Sequence, residues 1–64
     1  MIKLTKLNED IFFLNAELVK TVEETPDTVI TLTNGSKYIV KENADTIIER
    51  IVQYKRSIFT KFME

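Results

Sequence analysis

The stretch that decides the fold is "VITLTNGSKYIV", residues 29 to 40. Two runs rich in β-branched and aromatic residues flank Asn34-Gly35. Such residues favour pleated strands. Asn-Gly suits a two-residue type I′ hairpin, because both central positions of that turn take φ > 0. A two-residue loop also sets the register. Thr33 then faces Ser36, Thr31 faces Tyr38 and Val29 faces Val40 on one side, while Leu32 faces Lys37 and Ile30 faces Ile39 on the other. Both sides of the hairpin are apolar on this reading, although a sheet with one solvated face needs only one such side. Something has to cover the second.

Working outward, Thr25-Pro26-Asp27-Thr28 reads as a turn with Pro pre-setting φ. Leu18 to Glu24 reads as the strand before it, with Val19, Thr21 and Val22 favouring β structure. Asn15-Ala16-Glu17 is a short corner. Ile2 to Leu7 and Ile11 to Leu14 form a first hairpin around Asn8-Glu9-Asp10. From Ala44 the period changes. Ile47, Ile51, Tyr54 and Ile58 recur at 4-3-4 spacing, and Ala44, Ile48, Val52, Phe59 and Phe62 widen the stripe, which is a helical pattern. Asn43 is placed to cap it. Glu42, Asp45 and Glu49 near its start and Lys55, Arg56 and Lys61 near its end both suit the helix dipole. The fold class is therefore α+β, mainly β. A small antiparallel five-stranded sheet or meander occupies about residues 2–42, and one C-terminal helix follows over about 44–62. Residues 1–64 read as one small domain.

One helix covers one face of such a sheet. Either the sheet curls into a barrel-like meander, or a second copy of the chain covers what the helix leaves open. A chain of 64 residues with no Cys and no His has no disulfide to staple it and a poor ligand set for zinc. Oligomerisation is the remaining route by which small folds gain stability. The expected interaction surface comprises Val29, Tyr38 and Val40 on the hairpin and Ile48, Val52, Phe59 and Phe62 on the helix, and the expected partner is another copy, giving a homo-oligomer.

Little chemistry is on offer. Without His or Cys, no Ser-His or Cys-His pair exists. The carboxylate pairs Glu9-Asp10 and Glu23-Glu24 fall in a turn and at a strand end, where acids are ordinarily solvated. Asn34-Gly35-Ser36 is too short for a phosphate loop. No catalytic, cofactor-binding or metal-binding residue is named, and no enzyme activity is expected. The net charge of −1 argues against nucleic acid as a partner. Residues 1–42 hold five basic and seven acidic groups. The segment from Tyr54 to Phe62 interleaves basic and aromatic residues, a pattern shared by membrane-surface helices, nucleic-acid contacts and ordinary helix ends. Residues 43–64 carry four basic and three acidic groups, too slight an excess to hold a membrane, so an ordinary helix end or partner packing is the preferred reading. Neither a signal peptide nor an integral membrane segment is visible, and a cytoplasmic location is expected.

The segments "MIKLTKLN", "FFLNAELVKTVEETPDTVITLTNGSKYIVKE" and "NADTIIERIVQYKR" resemble the small FlbD-like, or SwrD-like, flagellar proteins of bacteria. The distinctive pieces are Leu14-Asn15-Ala16, the "TPDTVITLTNG" turn and hairpin, and Lys41-Glu42 before the helix. The likeness runs from residue 1 to about 56. It departs at Asn8-Glu9-Asp10, where the family's pattern leads one to expect a Gly. The resemblance implies a non-enzymatic cytoplasmic protein that supports flagellar motility or swarming through protein–protein interaction, with the flagellar motor, its stator or its assembly as partner. The alternative is a small nucleic-acid-binding regulator of flagellar gene expression, because the strands followed by a helix also resemble part of a LytTR-type DNA-binding β-domain.

Overall fold

The computed structural model describes the backbone of residues 1–63 and the side chains of residues 1–59. Five strands and one helix appear in the expected order: β1 (Ile2–Thr5), β2 (Ile11–Leu14), a 3₁₀ turn at Ala16–Leu18, β3 (Val19–Glu24), β4 (Thr28–Leu32), β5 (Lys37–Val40) and α1 (Ala44–Met63). The strands divide between two antiparallel sheets, β1-β2 and β3-β4-β5. The sheets join at one corner, where Lys6 bridges to Val40 and the Lys41 N–H donates to the Thr5 carbonyl at 2.9 Å.

The two sheets share one core, built from Ile2, Leu4, Leu14, Ala16, Ile30, Leu32 and Val40, and Ile47 of α1 completes it. Leu4, Ile30 and Ile47 are fully buried. The chain thus takes the folded-over solution for its inner side, and the helix joins that same core rather than roofing the opposite face. A bulge in β3 contributes. The register slips between Val19 and Thr21, so Val19 and Val22, three residues apart, both pack against the core. An unbroken strand would point them to opposite faces.

The central hairpin departs from the two-residue reading. Thr28 pairs with Val40, Val29 with Ile39, Ile30 with Tyr38 and Thr31 with Lys37, one residue away from the register expected above. The loop has three residues, Thr33-Asn34-Gly35, closed by Leu32 N–H to Ser36 O at 2.8 Å and Gly35 N–H to Leu32 O at 2.9 Å. Only Gly35 takes a positive φ, +90°. Asn34 instead accepts the Ser36 N–H with its side chain at 2.9 Å. This is the three-residue hairpin in which a left-handed residue forms the bulge. A one-residue slip exchanges faces on the paired strand. Tyr38 and Val40 therefore join Ile30 and Leu32 on the inner side, and Ile39 moves out beside Val29.

The first hairpin repeats the device. Lys6 N–H donates to Asp10 O at 2.8 Å and Glu9 N–H to Lys6 O at 3.0 Å, while the Asn8 side chain accepts the Asp10 N–H at 3.1 Å. Leu7-Asn8-Glu9 thus matches Thr33-Asn34-Gly35 position for position. Glu9, with φ +76°, occupies the left-handed place that Gly35 fills in the second hairpin, which is the physical reason a Gly suits this turn.

Candidate functional site

Residues 44–63 make a helix of 20 residues, roughly 30 Å long at about 1.5 Å per residue. Its start is held twice. Asn43 Oδ1 accepts the Thr46 N–H at 2.8 Å, and Glu24 Oε1 accepts the Ala44 N–H at 2.7 Å, so the end of β3 and the 41–43 link before the helix both satisfy amides that a helix start leaves open. One seam faces the core: Ile47 is buried, and Ile51 and Tyr54 pack against the cluster.

A second fastening lies at Glu42. Its carboxylate accepts the Thr5 N–H at 3.0 Å, the Thr5 hydroxyl at 2.9 Å and Arg50 Nη1 at 3.2 Å. The same Arg50 nitrogen donates to the Lys3 carbonyl. Strand β1, the 41–43 link and the helix are thereby tied together. Burial pushes the Glu42 carboxyl up, but the Thr5 and Glu42 backbone N–H groups, the Thr5 hydroxyl and Arg50 together hold it below the usual carboxylate range. The neighbouring Lys41 pairs with Glu9 across the first turn. Lys41 and Glu42 thus act structurally, docking α1 onto the first hairpin.

The outer seam of α1 is bare. Ile48 is 52% exposed, Val52 40% and Phe59 66%, and Val52, Lys55, Arg56 and Phe59 line a shallow groove. These three apolar residues are the part of the expected interaction surface that reaches solvent together. The hairpin part does not join them. Val40 is 2% exposed and belongs to the core. Tyr38 packs against that core with its ring 5.4 Å from that of Phe12. Both are turned inward by the register slip. Val29 is half-buried on the outer side of its sheet, opposite exposed Ile39. The side chain of Phe62 lies outside the described residues.

Exposed Ile11 and Phe13 on β2 belong to no surface named from the sequence. Alternation along Ile11-Phe12-Phe13-Leu14 was the available signal: Phe12 and Leu14 pair with core-facing Leu4 and Ile2, which turns Ile11 and Phe13 outward. Among the described residues no cluster of acidic side chains is arranged to hold a metal ion, and no buried side-chain nitrogen or oxygen lacks a partner. No helix among them is long and apolar enough to cross a membrane.

No curated protein and no solved structure gives a significant match to the chain. One family model does match: it describes flagellar and swarming motility proteins and covers residues 1–59. That span takes in both hairpins, the Glu42 fastening and the exposed ridge as far as Phe59. The chain belongs to the FlbD family of flagellar and swarming motility proteins, and its role lies in that motility.

Proposed function

We propose that the protein supports flagellar and swarming motility as a non-enzymatic cytoplasmic accessory protein that works by binding other proteins, acts as a homo-oligomer, and engages the flagellar motor, its stator or its assembly. The observation that carries this reading is the row of exposed Ile48, Val52 and Phe59 beside Lys55 and Arg56, on a helix whose adjacent seam is already committed to the core. A contiguous apolar patch rimmed by polar groups is the usual mark of a protein contact. The acidic groups support a non-catalytic role. Glu9-Asp10 and Glu23-Glu24 are exposed, and Glu42 is fully engaged in fastening the helix. Nucleic acid takes second place, since a chain of net charge −1 offers only a short basic stretch on α1.

The test uses a host strain lacking the protein, complemented with the wild type or with Val52→Asp/Phe59→Asp. Swarm expansion is measured, and proteins crosslinked to each version in living cells are identified. The expected result is a folded double variant that fails to restore swarming and loses a crosslink to a motor or stator component. Full swarming by that variant, or wild-type protein that crosslinks to no flagellar component, refutes the reading.

A further inference from the structure

The outer ridge of α1 has a spacing of its own. Ile48, Val52, Lys55 and Phe59 follow one another at steps of four, three and four residues. That is the spacing of one face of a coiled coil, in which apolar residues alternate at three and four and meet the same pattern on a second helix. The core-facing seam, Ile47, Ile51 and Tyr54, and its continuation at Ile58 have identical steps one residue earlier. One helix therefore carries two adjacent seams, and only one is used within the chain.

We propose that the outer seam pairs with the outer seam of a second copy, antiparallel, about a two-fold axis near Val52 and Lys55. This rests on the homo-oligomer reading above and specifies its interface. Charge decides the occupant and the direction. Exposed Glu49 and Arg56 flank the ridge seven residues apart, two turns along the same edge. In an antiparallel pair, Glu49 meets the partner's Arg56 and Arg56 meets the partner's Glu49, because a two-fold interface makes every contact twice. Ile48 then packs against the partner's Phe59, and Val52 against the stem of the partner's Lys55, whose ammonium reaches water. A parallel pair sets Lys55 against Lys55 within the seam and carries Glu49 and Arg56 to opposite edges from their copies, where neither meets an opposite charge, so it has one repulsive contact and no ion pair. A charged residue within such a seam is a recognised device for fixing orientation at some cost in stability. The chain's shape leaves room: its extents are 41 × 23 × 18 Å, and packing against the core ends at Tyr54 among the described residues.

The experiment is sedimentation equilibrium from micromolar to sub-millimolar concentration, on the wild type, Glu49→Arg, Arg56→Glu, and an equimolar mixture of the two variants. Glu49→Arg presents two basic groups on the edge, and Arg56→Glu presents two acidic ones. Each variant repels itself, while the mixture restores both ion pairs. The wild type is expected to reach twice the 7.5 kDa of one chain. Each variant alone should bind itself about tenfold more weakly or worse, since tenfold corresponds to only about 1.4 kcal/mol over two repulsive contacts. The mixture should recover the wild-type mass, which also shows that both variants are folded. A wild-type dimer indifferent to both substitutions, or a mixture no stronger than its components, overturns the helix pairing and leaves self-association standing. A wild type that stays at 7.5 kDa throughout overturns both.

Discussion

Replacing Glu42 by Gln removes one charge and changes almost no volume, so its effect isolates the fastening between α1 and β1. The carboxylate accepts three bonds, from the Thr5 N–H, the Thr5 hydroxyl and Arg50, at 3.0, 2.9 and 3.2 Å. The amide keeps one accepting oxygen and turns an NH₂ toward groups that are themselves donors. The Glu42 side chain is 11% exposed, so water replaces little of what is lost there, whereas Arg50 at 38% is partly compensated by solvent. A hydrogen bond to a charged group is worth about 1.5–3 kcal/mol. With the Arg50 share discounted for screening, the expected loss is about 2–3 kcal/mol. In a domain this small that lowers the thermal midpoint by roughly 10–20 °C. Thermal and urea unfolding, followed by circular dichroism, measure it. The pH dependence gives an independent check. Glu42 is held below its ordinary value of 4.5 in the folded state. As pH falls, the unfolded chain takes up the proton first. The stabilisation is therefore complete above the unfolded value and lost as pH drops through the folded one. The gap between wild type and Glu42→Gln should be full at pH 7 and close under acid. A gap below about 0.5 kcal/mol at pH 7, within the range of an ordinary surface change, or one that stays constant on acidification, would refute this account of the fastening.

Three further substitutions concern the twin hairpins. Gly35→Ala should cost about 1–2 kcal/mol, the expense of a left-handed L-residue, because the added Cβ meets nothing within 4 Å and only the backbone resists. Asn34→Ala should cost less, since Asn34 has no positive φ and loses one exposed side-chain bond; equal losses in urea titrations would restore the two-residue turn. Glu9→Gly should stabilise by about 0.5–1 kcal/mol, as relief at φ +76° outweighs an exposed ion pair with Lys41. A lower thermal midpoint for that variant would show that the Lys41 pairing matters more than the backbone.

Much of this architecture was legible in the residues. The strand order, the corner at Asn15, the cap at Asn43 and the helix from Ala44 all follow from β-branched runs, turn residues and a switch to helical spacing. The register of the second hairpin was not. Asn34-Gly35 fits both a two-residue loop, in which Asn34 also takes φ > 0, and a three-residue loop, in which Asn34 binds the Ser36 N–H instead. The choice rests on which face of β5 meets the core. Val40 in the core outweighs the local preference, and Tyr38 turns inward with it. The division into two sheets was equally hidden, since it depends on a single bridge at Lys6 and Val40 that leaves no local signal. Glu42 showed as an acid near a helix start and in the Lys41-Glu42 pair that carries part of the family resemblance, but its partners Thr5 and Arg50 are brought to it by the fold.

The helix poses the same kind of ambiguity, and composition resolves it. Two seams with the same steps lie one residue apart, so spacing alone does not say which faces the core. The seam through Ile47, Ile51, Tyr54 and Ile58 is apolar with one phenol. The seam through Ile48, Val52, Lys55 and Phe59 carries a charge at its third position. Burying Lys55 in the core would strand an ammonium without a partner, at a cost of several kcal/mol, whereas half-buried Tyr54 keeps its ring against apolar neighbours and its hydroxyl near the edge. The seam without the charge therefore takes the core. The other is left at the surface, where Lys55 tolerates an interface between chains because its stem packs while its head stays wet. The residue that excludes this seam from the fold is thus compatible with its use in assembly, and the flanking Glu49 and Arg56 supply the direction that an apolar ridge alone would not.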